Sequence, residues 1–220
     1  MKLLTILVAC AILTVVPAFA DGTYLIKYMS NLDIGDGVIN VSNTGASSGQ
    51  NLSTSGGALL SNGNICANVY VFTPDEQLQA CCTCLLTPNA QGFFTKGGLI
   101  ANTLTGRPVT DAVIKLVATA SCLPQPGGGC FPTSFVGTCN ASTAGLTGGQ
   151  PLAPGLVAWG TALHANTSTF PFTYQVTETP FHDAGFPSDG ELNRITSLCA
   201  FIQQNGSGAG ICKGCSFGGL

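Results

Sequence analysis

Cysteine residues have the type and spacing that most directly suggest chemistry in this sequence. Cys81, Cys82 and Cys84 fall within four positions of one another, and a Cys-x-x-Cys pair, Cys212 and Cys215, lies near the end. Such groups hold zinc or iron–sulfur clusters, exchange disulfides, or form structural disulfides. The run lacks the two regularly spaced pairs of a zinc site, and no helix follows the Cys-x-x-Cys pair, as redox enzymes require. The pattern therefore favours structural disulfides, with no metal and no cofactor.

The start of the sequence predicts the compartment. Lys2, an apolar run over 3–16, and the small-x-small stretch Ala18-Phe19-Ala20 are typical of a cleaved secretory signal peptide over 1–20. Residues 21–220 are then a single secreted β-rich domain, located outside the cell, at its surface or in the periplasm. An even number of cysteines in an exported chain indicates a disulfide framework whose connectivity the sequence leaves open. The predicted disulfide cysteines are Cys66, Cys81, Cys82, Cys84, Cys122, Cys130, Cys139, Cys199, Cys212 and Cys215.

Charge is sparse along the chain. Seven basic and ten acidic residues give 8% charged residues and a net charge of −3. This composition argues against nucleic-acid partners and against a basic membrane-binding patch. Beyond the signal peptide, no apolar run is long enough to cross a membrane. A surface of Ser, Thr, Asn and Gly with so little charge has weak protection against self-association.

Catalytic side chains are few. The chain has two histidines, His164 and His182, and neither lies in a pattern that predicts a triad with a nucleophile and a carboxylate. A G-x-S-x-G match over 45–49 sits in a polar stretch without the helix that the hydrolase motif requires. We therefore predict no catalytic residue.

Several short strands must position the cysteines. Strands are predicted over 23–29, 37–41, 65–72, 92–95, 99–104, 112–118, 156–163 and 170–178, because these runs are rich in β-branched and aromatic residues between turn residues. A short strand followed by a turn is predicted within 85–89. The run 65–72 is apolar on both faces and is expected inside a two-layer sheet. If 81–84 is extended, Cys82 and Cys84 face one side and Cys81 the other, which would tie this point to two other parts of the chain.

The remaining predictions concern one helix, two loops and the tryptophan. Ser188 and Glu191 form a capping box that opens a helix ending near Asn205-Gly206, with Cys199 on its apolar stripe. Residues 42–64 and 121–149 are expected to be long exposed loops, the second closed by an internal bridge. Trp159 is expected in the core, with a carbohydrate-stacking role as the alternative. The whole predicts an all-β fold, a disulfide-stabilised β-sandwich with one C-terminal helix packed at an edge, with a β-barrel as the alternative.

Four segments carry a resemblance to known proteins. They are NICANVYVFTPDEQLQACCTCLLTPN, AVIKLVATA, LVAWGTALH and NGSGAGICKGC. Together they resemble a group of uncharacterised exported bacterial proteins that share the CC-x-C…C-x-x-C cysteine framework along most of the mature chain. The resemblance implies bacterial export and a single domain, and it brings no activity with it.

These features together predict a non-catalytic extracellular protein, a cell-surface, matrix or fibre component that self-associates. The disulfides, the low charge and the shortage of catalytic side chains are its grounds. A secreted carbohydrate-binding module, with a glycan partner, is the first alternative. Aromatic side chains such as Trp159 and Tyr174 exposed beside a groove would favour it. A secreted hydrolase that uses His164 or His182 is the second alternative.

Overall fold

A computed structural model describes residues 21–33, 37–49, 51–54, 57–60, 62–100, 109–121, 123–124, 130–131, 139–166, 168, 171, 173–207, 210–212 and 216–217. The predicted signal peptide, residues 1–20, lies outside the described residues. The strands are β1 Tyr24–Met29, β2 Val38–Asn43, β3 Asn51–Thr54, β4 Gly57–Leu60, β5 Ile65–Phe72, β6 Leu78–Leu86, β7 Gln91–Thr95, β8 Ala112–Ala120, β9 Leu123–Pro124, β10 Cys130–Phe131, β11 Leu156–Asn166, β12 Thr173–Pro180, β13 His182–Asp183 and β14 Ser216–Phe217. The helices are α1 Lys96–Ile100 and α2 Asp189–Gln204.

Two antiparallel sheets of five strands each form the body. Sheet I has the order β13-β1-β8-β5-β6, and sheet II has the order β12-β11-β2-β7-β14. Their inner faces enclose one apolar core, to which sheet I contributes residues such as Val69 and Leu116 and sheet II contributes Val41 and Phe94. Of the two architectures that the sequence left open, the chain has the β-sandwich.

Strand β5 lies at the centre of this arrangement, as its composition predicted. All eight of its residues are buried, between β6 on one side and β8 on the other. Its alternation is the expected one, because Ile65 and Val69 point into the sandwich while Tyr70 and Phe72 point to the outer face of sheet I.

Helix α2 covers that outer face. The Ser188 side chain accepts a hydrogen bond from the N–H of Glu191 at 3.2 Å, which is the predicted N-cap, and the helix ends before Asn205. Leu192 and Ile195 pack against Tyr70 in a second apolar cluster. The helix lies beside β6, the edge strand of sheet I, so the predicted helix packed at an edge is confirmed.

The segment 42–64 departs from the expected exposed loop. Strand β2 continues to Asn43, and β3 and β4 form a hairpin within the segment. The buried Asn43 amide donates to the carbonyls of Gly63 at 2.8 Å and Leu86 at 2.9 Å, and its oxygen accepts from the N–H of Gly45 at 2.8 Å. One polar side chain thus fastens both ends of the segment to the sandwich, which composition alone does not reveal.

Other boundaries also differ from the prediction. Residues 96–100 form helix α1 where a strand was expected from 99, and 101–108 lie outside the described residues. The strand expected at 85–89 is the end of β6, which runs over the cysteines from Leu78 to Leu86. Trp159 is not in the core: it is half-buried on the outer face of sheet II, and the core-facing residues of β11 are Leu156 and Ala158.

Candidate interaction surface

The three neighbouring cysteines diverge as predicted. Strand β6 keeps 81–84 extended, so Cys81 lies on the outer face of sheet I and Cys84 in the core. Cys81 is bonded to Cys199 of helix α2, and Cys82 is bonded to Cys212 of the C-terminal segment. This strand is therefore the point at which both the helix and the C-terminal segment are covalently attached to the sandwich.

The remaining cysteines are only partly within the described residues. Cys66 is bonded to Cys139, so one cysteine of residues 121–149 is attached to β5. The bridge expected within this segment would need Cys122, so that prediction lies outside the described residues. Cys84 is also disulfide-bonded. Cys122 and Cys215 lie outside the described residues, and the Cys130 side chain is not described. The Cys-x-x-Cys pair thus has at least one member, Cys212, in a bridge to a distant strand.

The two histidines lie on different sheets. The His164 ring is 2.7 Å from the hydroxyl of Thr177, on the exposed pair β11 and β12. His182 is in β13 and pairs with Ile26 of sheet I. Among the described residues, neither imidazole is recorded in contact with a carboxylate, so a complete acid–base constellation is not assembled there.

A partly buried ion pair between Lys115 and Glu191 belongs to the packing of α2. Lys115 of β8 donates to the Glu191 carboxylate, and the Tyr24 hydroxyl approaches the same oxygen at 3.5 Å. Burial, together with the nearby negative charge of Glu191, raises the pKa of Tyr24 far above its ordinary value. Lys115 also lies 5.2 Å from the centre of the Phe72 ring. These groups attach the helix to the sheet, and they do not line an open cleft.

The edge strand β6 of sheet I and the edge strand β12 of sheet II differ in what lies beside them. Along β6, the C-terminal segment pairs with the edge: the N–H of Cys81 donates to Gly210 at 2.8 Å, and the N–H of Cys212 donates to Cys81 at 3.2 Å. The Cys82–Cys212 disulfide fixes this cover in place. Covered edges of this kind prevent a sheet from pairing with other chains.

Strand β12 is an edge of sheet II, and no segment among the described residues pairs with its outer side. All eight residues of TYQVTETP are exposed, and Tyr174 and Val176 keep 54% and 61% of their surface accessible. Glu178 is the single charged residue of the strand. Native proteins normally protect exposed edges with lysines, prolines, bulges or a short strand length. Of these, β12 has only a proline, Pro180, at its end.

The outer part of β12 also extends beyond the sandwich. Pairing between β11 and β2 stops at Thr161 and Val38, whereas pairing between β11 and β12 continues to Asn166 and Thr173. Residues 162–166 and 173–177 therefore form a two-stranded extension, which we call the hairpin arm. With about 3.4 Å per residue, five residue pairs extend about 17 Å. The hairpin arm therefore continues past the last residue of β2 that pairs with β11.

The direction of the free backbone groups of β12 follows from its pairing with β11. The N–H of Phe181 donates to Ala158 at 2.9 Å, and these two residues directly follow the pair Trp159 and Pro180. In an antiparallel pair, hydrogen-bonded and non-hydrogen-bonded residue pairs alternate. Tyr174, Val176 and Glu178 are therefore in non-hydrogen-bonded positions, and their N–H and C=O groups point away from β11. Pro180 is also in a non-hydrogen-bonded position, so its missing N–H removes no hydrogen bond to β11.

The outer face of sheet II carries aromatic residues next to this edge. Register places Trp159, Asn40 and Phe93 in one row across β11, β2 and β7. Trp159 and Phe93 are half-buried, and Tyr174 lies on the same face in the hairpin arm. Since strands are about 4.8 Å apart, Trp159 and Phe93 are about 10 Å from each other across the sheet.

Sequence reasoning located a strand over 170–178 but did not identify it as an edge. The local signal was weak: Tyr174 and Val176 alternate with polar residues, which is typical of any half-buried strand. The run of Thr, Tyr and Val with a single charge was the part of the signal that points to a surface prone to strand pairing.

The fold and this surface define a class: an antiparallel β-sandwich braced by disulfides, in which the β6 edge of sheet I is covered and the β12 edge of sheet II is exposed. The chain matches no protein-family model, no curated protein and no solved structure. The resemblance to exported bacterial proteins therefore stays a prediction. Within the described residues, no helix has the length and apolarity needed to cross a membrane. The same residues contain no group of three or more His, Cys, Asp or Glu placed to hold a metal ion.

Proposed function

We propose that the protein is a non-catalytic exported protein that serves as a structural component of a cell surface or extracellular matrix and assembles with copies of itself. The predicted signal peptide supports export. The disulfides support persistence in an oxidising environment. A net charge of −3 on 220 residues offers little electrostatic opposition to assembly.

The observation that carries the proposal is the state of strand β12. It combines full exposure over eight residues, a high β-propensity and three residues whose backbone groups point outward. The edge strand β6, by contrast, is paired with the C-terminal segment, which a disulfide holds in place. The exposed edge of β12 is therefore a distinguishing feature of the molecule. An edge of this kind pairs with another strand by main-chain hydrogen bonds.

The native size and form of the secreted protein test this proposal. Sedimentation velocity over a hundredfold concentration range, followed by negative-stain microscopy, is expected to show concentration-dependent oligomers or fibres. A protein purified without reducing agent is needed, because the disulfides hold α2 and the C-terminal segment in place. A strict monomer at every concentration, in protein from its own source, would contradict self-assembly.

A carbohydrate-binding module is the second candidate, supported by the aromatic row on the outer face of sheet II. Trp159 and Phe93 are about 10 Å apart across two strands, and stacking of sugar rings on such side chains requires partly exposed aromatic faces.

Glycan-array binding tests this second candidate. A Trp159→Ala variant is expected to lose binding, and Tyr28→Ala, which removes an exposed aromatic on the other sheet, serves as the matched control. Binding that survives Trp159→Ala would place the glycan elsewhere.

A further inference from the structure

We propose that the partner of β12 is the β12 strand of a second copy, paired antiparallel about a two-fold axis that passes through Val176. This inference rests on the proposed self-association and specifies its interface. It joins two copies of sheet II into one continuous sheet of ten strands, because β12 is the end strand of each five-stranded sheet.

The positions of the free backbone groups restrict the register. Tyr174, Val176 and Glu178 each present an outward N–H and C=O, as the pairing with β11 establishes. With the axis at Val176, Val176 faces itself and Tyr174 faces Glu178 of the other copy. Each of these three residue pairs is then a hydrogen-bonded pair, so all six outward N–H groups of the two strands find a carbonyl.

Two neighbouring registers also set outward groups opposite each other. The one centred on Gln175 places Glu178 opposite residue 172, before the start of β12, and so gives fewer hydrogen bonds between the two strands. Charge disfavours the other. Moving the axis to Thr177 also allows hydrogen bonding, but it sets Glu178 opposite Val176 and brings the two Glu178 carboxylates into diagonal positions about 7–8 Å apart. With the axis at Val176, the two Glu178 side chains are separated by four positions along the strands. The single charge of β12 thus disfavours the alternative and leaves Val176 in contact with its own symmetry mate.

The geometry of the hairpin arm makes this pairing accessible. Residues 173–177 lie on the part of β12 that extends beyond the pairing of β11 with β2. Two arms can therefore approach side by side without contact between the two sandwich bodies at the centre of the interface. The contact is isologous and closes as a dimer, so a fibre would need an additional surface.

A proline substitution tests the hydrogen bonds. Val176→Pro removes the two central N–H donors of the dimer but no bond to β11, because the N–H of Val176 points outward. The loss of two hydrogen bonds is expected to weaken dimerisation about fivefold to 150-fold in sedimentation equilibrium. Phe201→Lys, which removes an exposed aromatic from α2, is the matched control and should leave the dimer unchanged. Equal melting temperatures of monomeric wild type and variants establish that the fold is intact.

Lysine substitutions test the register, each against a neutral methionine of similar length. Tyr174→Lys places a cation opposite Glu178 of the second copy, twice in the dimer. Its dimer should be about twofold to thirtyfold tighter than that of Tyr174→Met, and the difference should shrink in high salt. Val176→Lys places two cations opposite each other and should give a weaker dimer than Val176→Met.

The outcomes separate this inference from the proposed function. A strictly monomeric wild type would overturn both. Oligomers that Val176→Pro and Val176→Lys leave unchanged would overturn the β12 interface while self-association stands. A tighter dimer with Val176→Lys than with Val176→Met would move the axis to Thr177 and overturn the register proposed here.

Discussion

Removing the Cys66–Cys139 disulfide is predicted to destabilise the protein more than removing Cys81–Cys199, although the second bridge spans more of the sequence. The two bridges join residues 73 and 118 positions apart. If each acted alone, the longer loop would give the larger stabilisation, because a disulfide stabilises mainly by restricting the unfolded chain. The arrangement of the bridges around β6 reverses this order.

The magnitude follows from the loop that each bridge closes in a protein that keeps only the bridges Cys66–Cys139, Cys81–Cys199 and Cys82–Cys212. When Cys82–Cys212 is closed, the shortest path from Cys81 to Cys199 runs through that bridge. It has one position from 81 to 82 and thirteen from 212 back to 199, so Cys81–Cys199 closes a loop of about 14 residues. A loop of that size contributes about 3 kcal/mol. Neither of those two bridges shortens the loop of 73 residues closed by Cys66–Cys139, which contributes about 4.4 kcal/mol by the same relation.

Guanidinium unfolding without reducing agent provides the assay. Each bridge is removed by paired Cys→Ala changes in a background in which Cys84, Cys122, Cys130 and Cys215 are already alanine, and the free energies of unfolding are compared with that background, which keeps three bridges. Cys81 and Cys199 are both buried, whereas in the other pair Cys66 is buried and Cys139 is half-buried. The Cys81/Cys199 variant therefore loses more packing, and the loop contributions are compared after this loss is subtracted. After this subtraction the Cys66/Cys139 variant is expected to lose about 1.4 kcal/mol more than the Cys81/Cys199 variant. An equal or larger loss in the Cys81/Cys199 variant would refute the loop argument.

Three further predictions concern the outer face of sheet I and the helix that covers it. The Tyr70 hydroxyl donates to the Ala141 carbonyl at 2.5 Å, so Tyr70→Phe should cost about 1–3 kcal/mol in denaturant unfolding by leaving a buried acceptor unpaired. Burial raises the pKa of Tyr70 above its ordinary 10.0, so above pH 10 this residue ionises in the unfolded chain but not in the folded protein. The free energy of unfolding of the wild type should therefore fall as the pH rises above 10. An equally steep fall in Tyr70→Phe would contradict this. Ser188→Ala should cost about 1 kcal/mol by removing the N-cap, whereas Ser188→Asp should restore it; equal losses in both variants would argue against capping.

Strand β5 and helix α2 were predictable from sequence because their signals are local. A buried strand needs apolar side chains on both faces, and 65–72 has them; a helix needs a cap and a stripe, and Ser188 with the residues after it supplies both. The divergence of Cys81 from its neighbours was predictable from strand alternation alone. The disulfide partners of these cysteines could not be predicted, because they depend on which distant elements come together in the fold.

Trp159 was misplaced because an alternating strand has two faces and the sequence does not say which one meets the core. The larger residues of β11 were expected inside, yet the small ones face the core. On the opposing sheet the Lys27 side chain lies against Gly160: a Cβ atom there would be 2.6 Å from Lys27 Cε, so a larger residue would require that side chain to move. The open edge of β12 was missed for a similar reason, since the neighbours of a strand are a property of the whole sheet.

The Cys82–Cys212 bridge also determines how the molecule responds to tension. If the protein is pulled along its chain, force passes from residue 82 directly to residue 212, and the 130 positions between them bear none of it. At about 3.4 Å per residue, roughly 440 Å of chain is thereby kept from extending. Helix α2 and the hairpin arm both lie within this shielded segment. An assembly joined through β12 would therefore keep its contact surface folded while the chain outside the bridge is stretched.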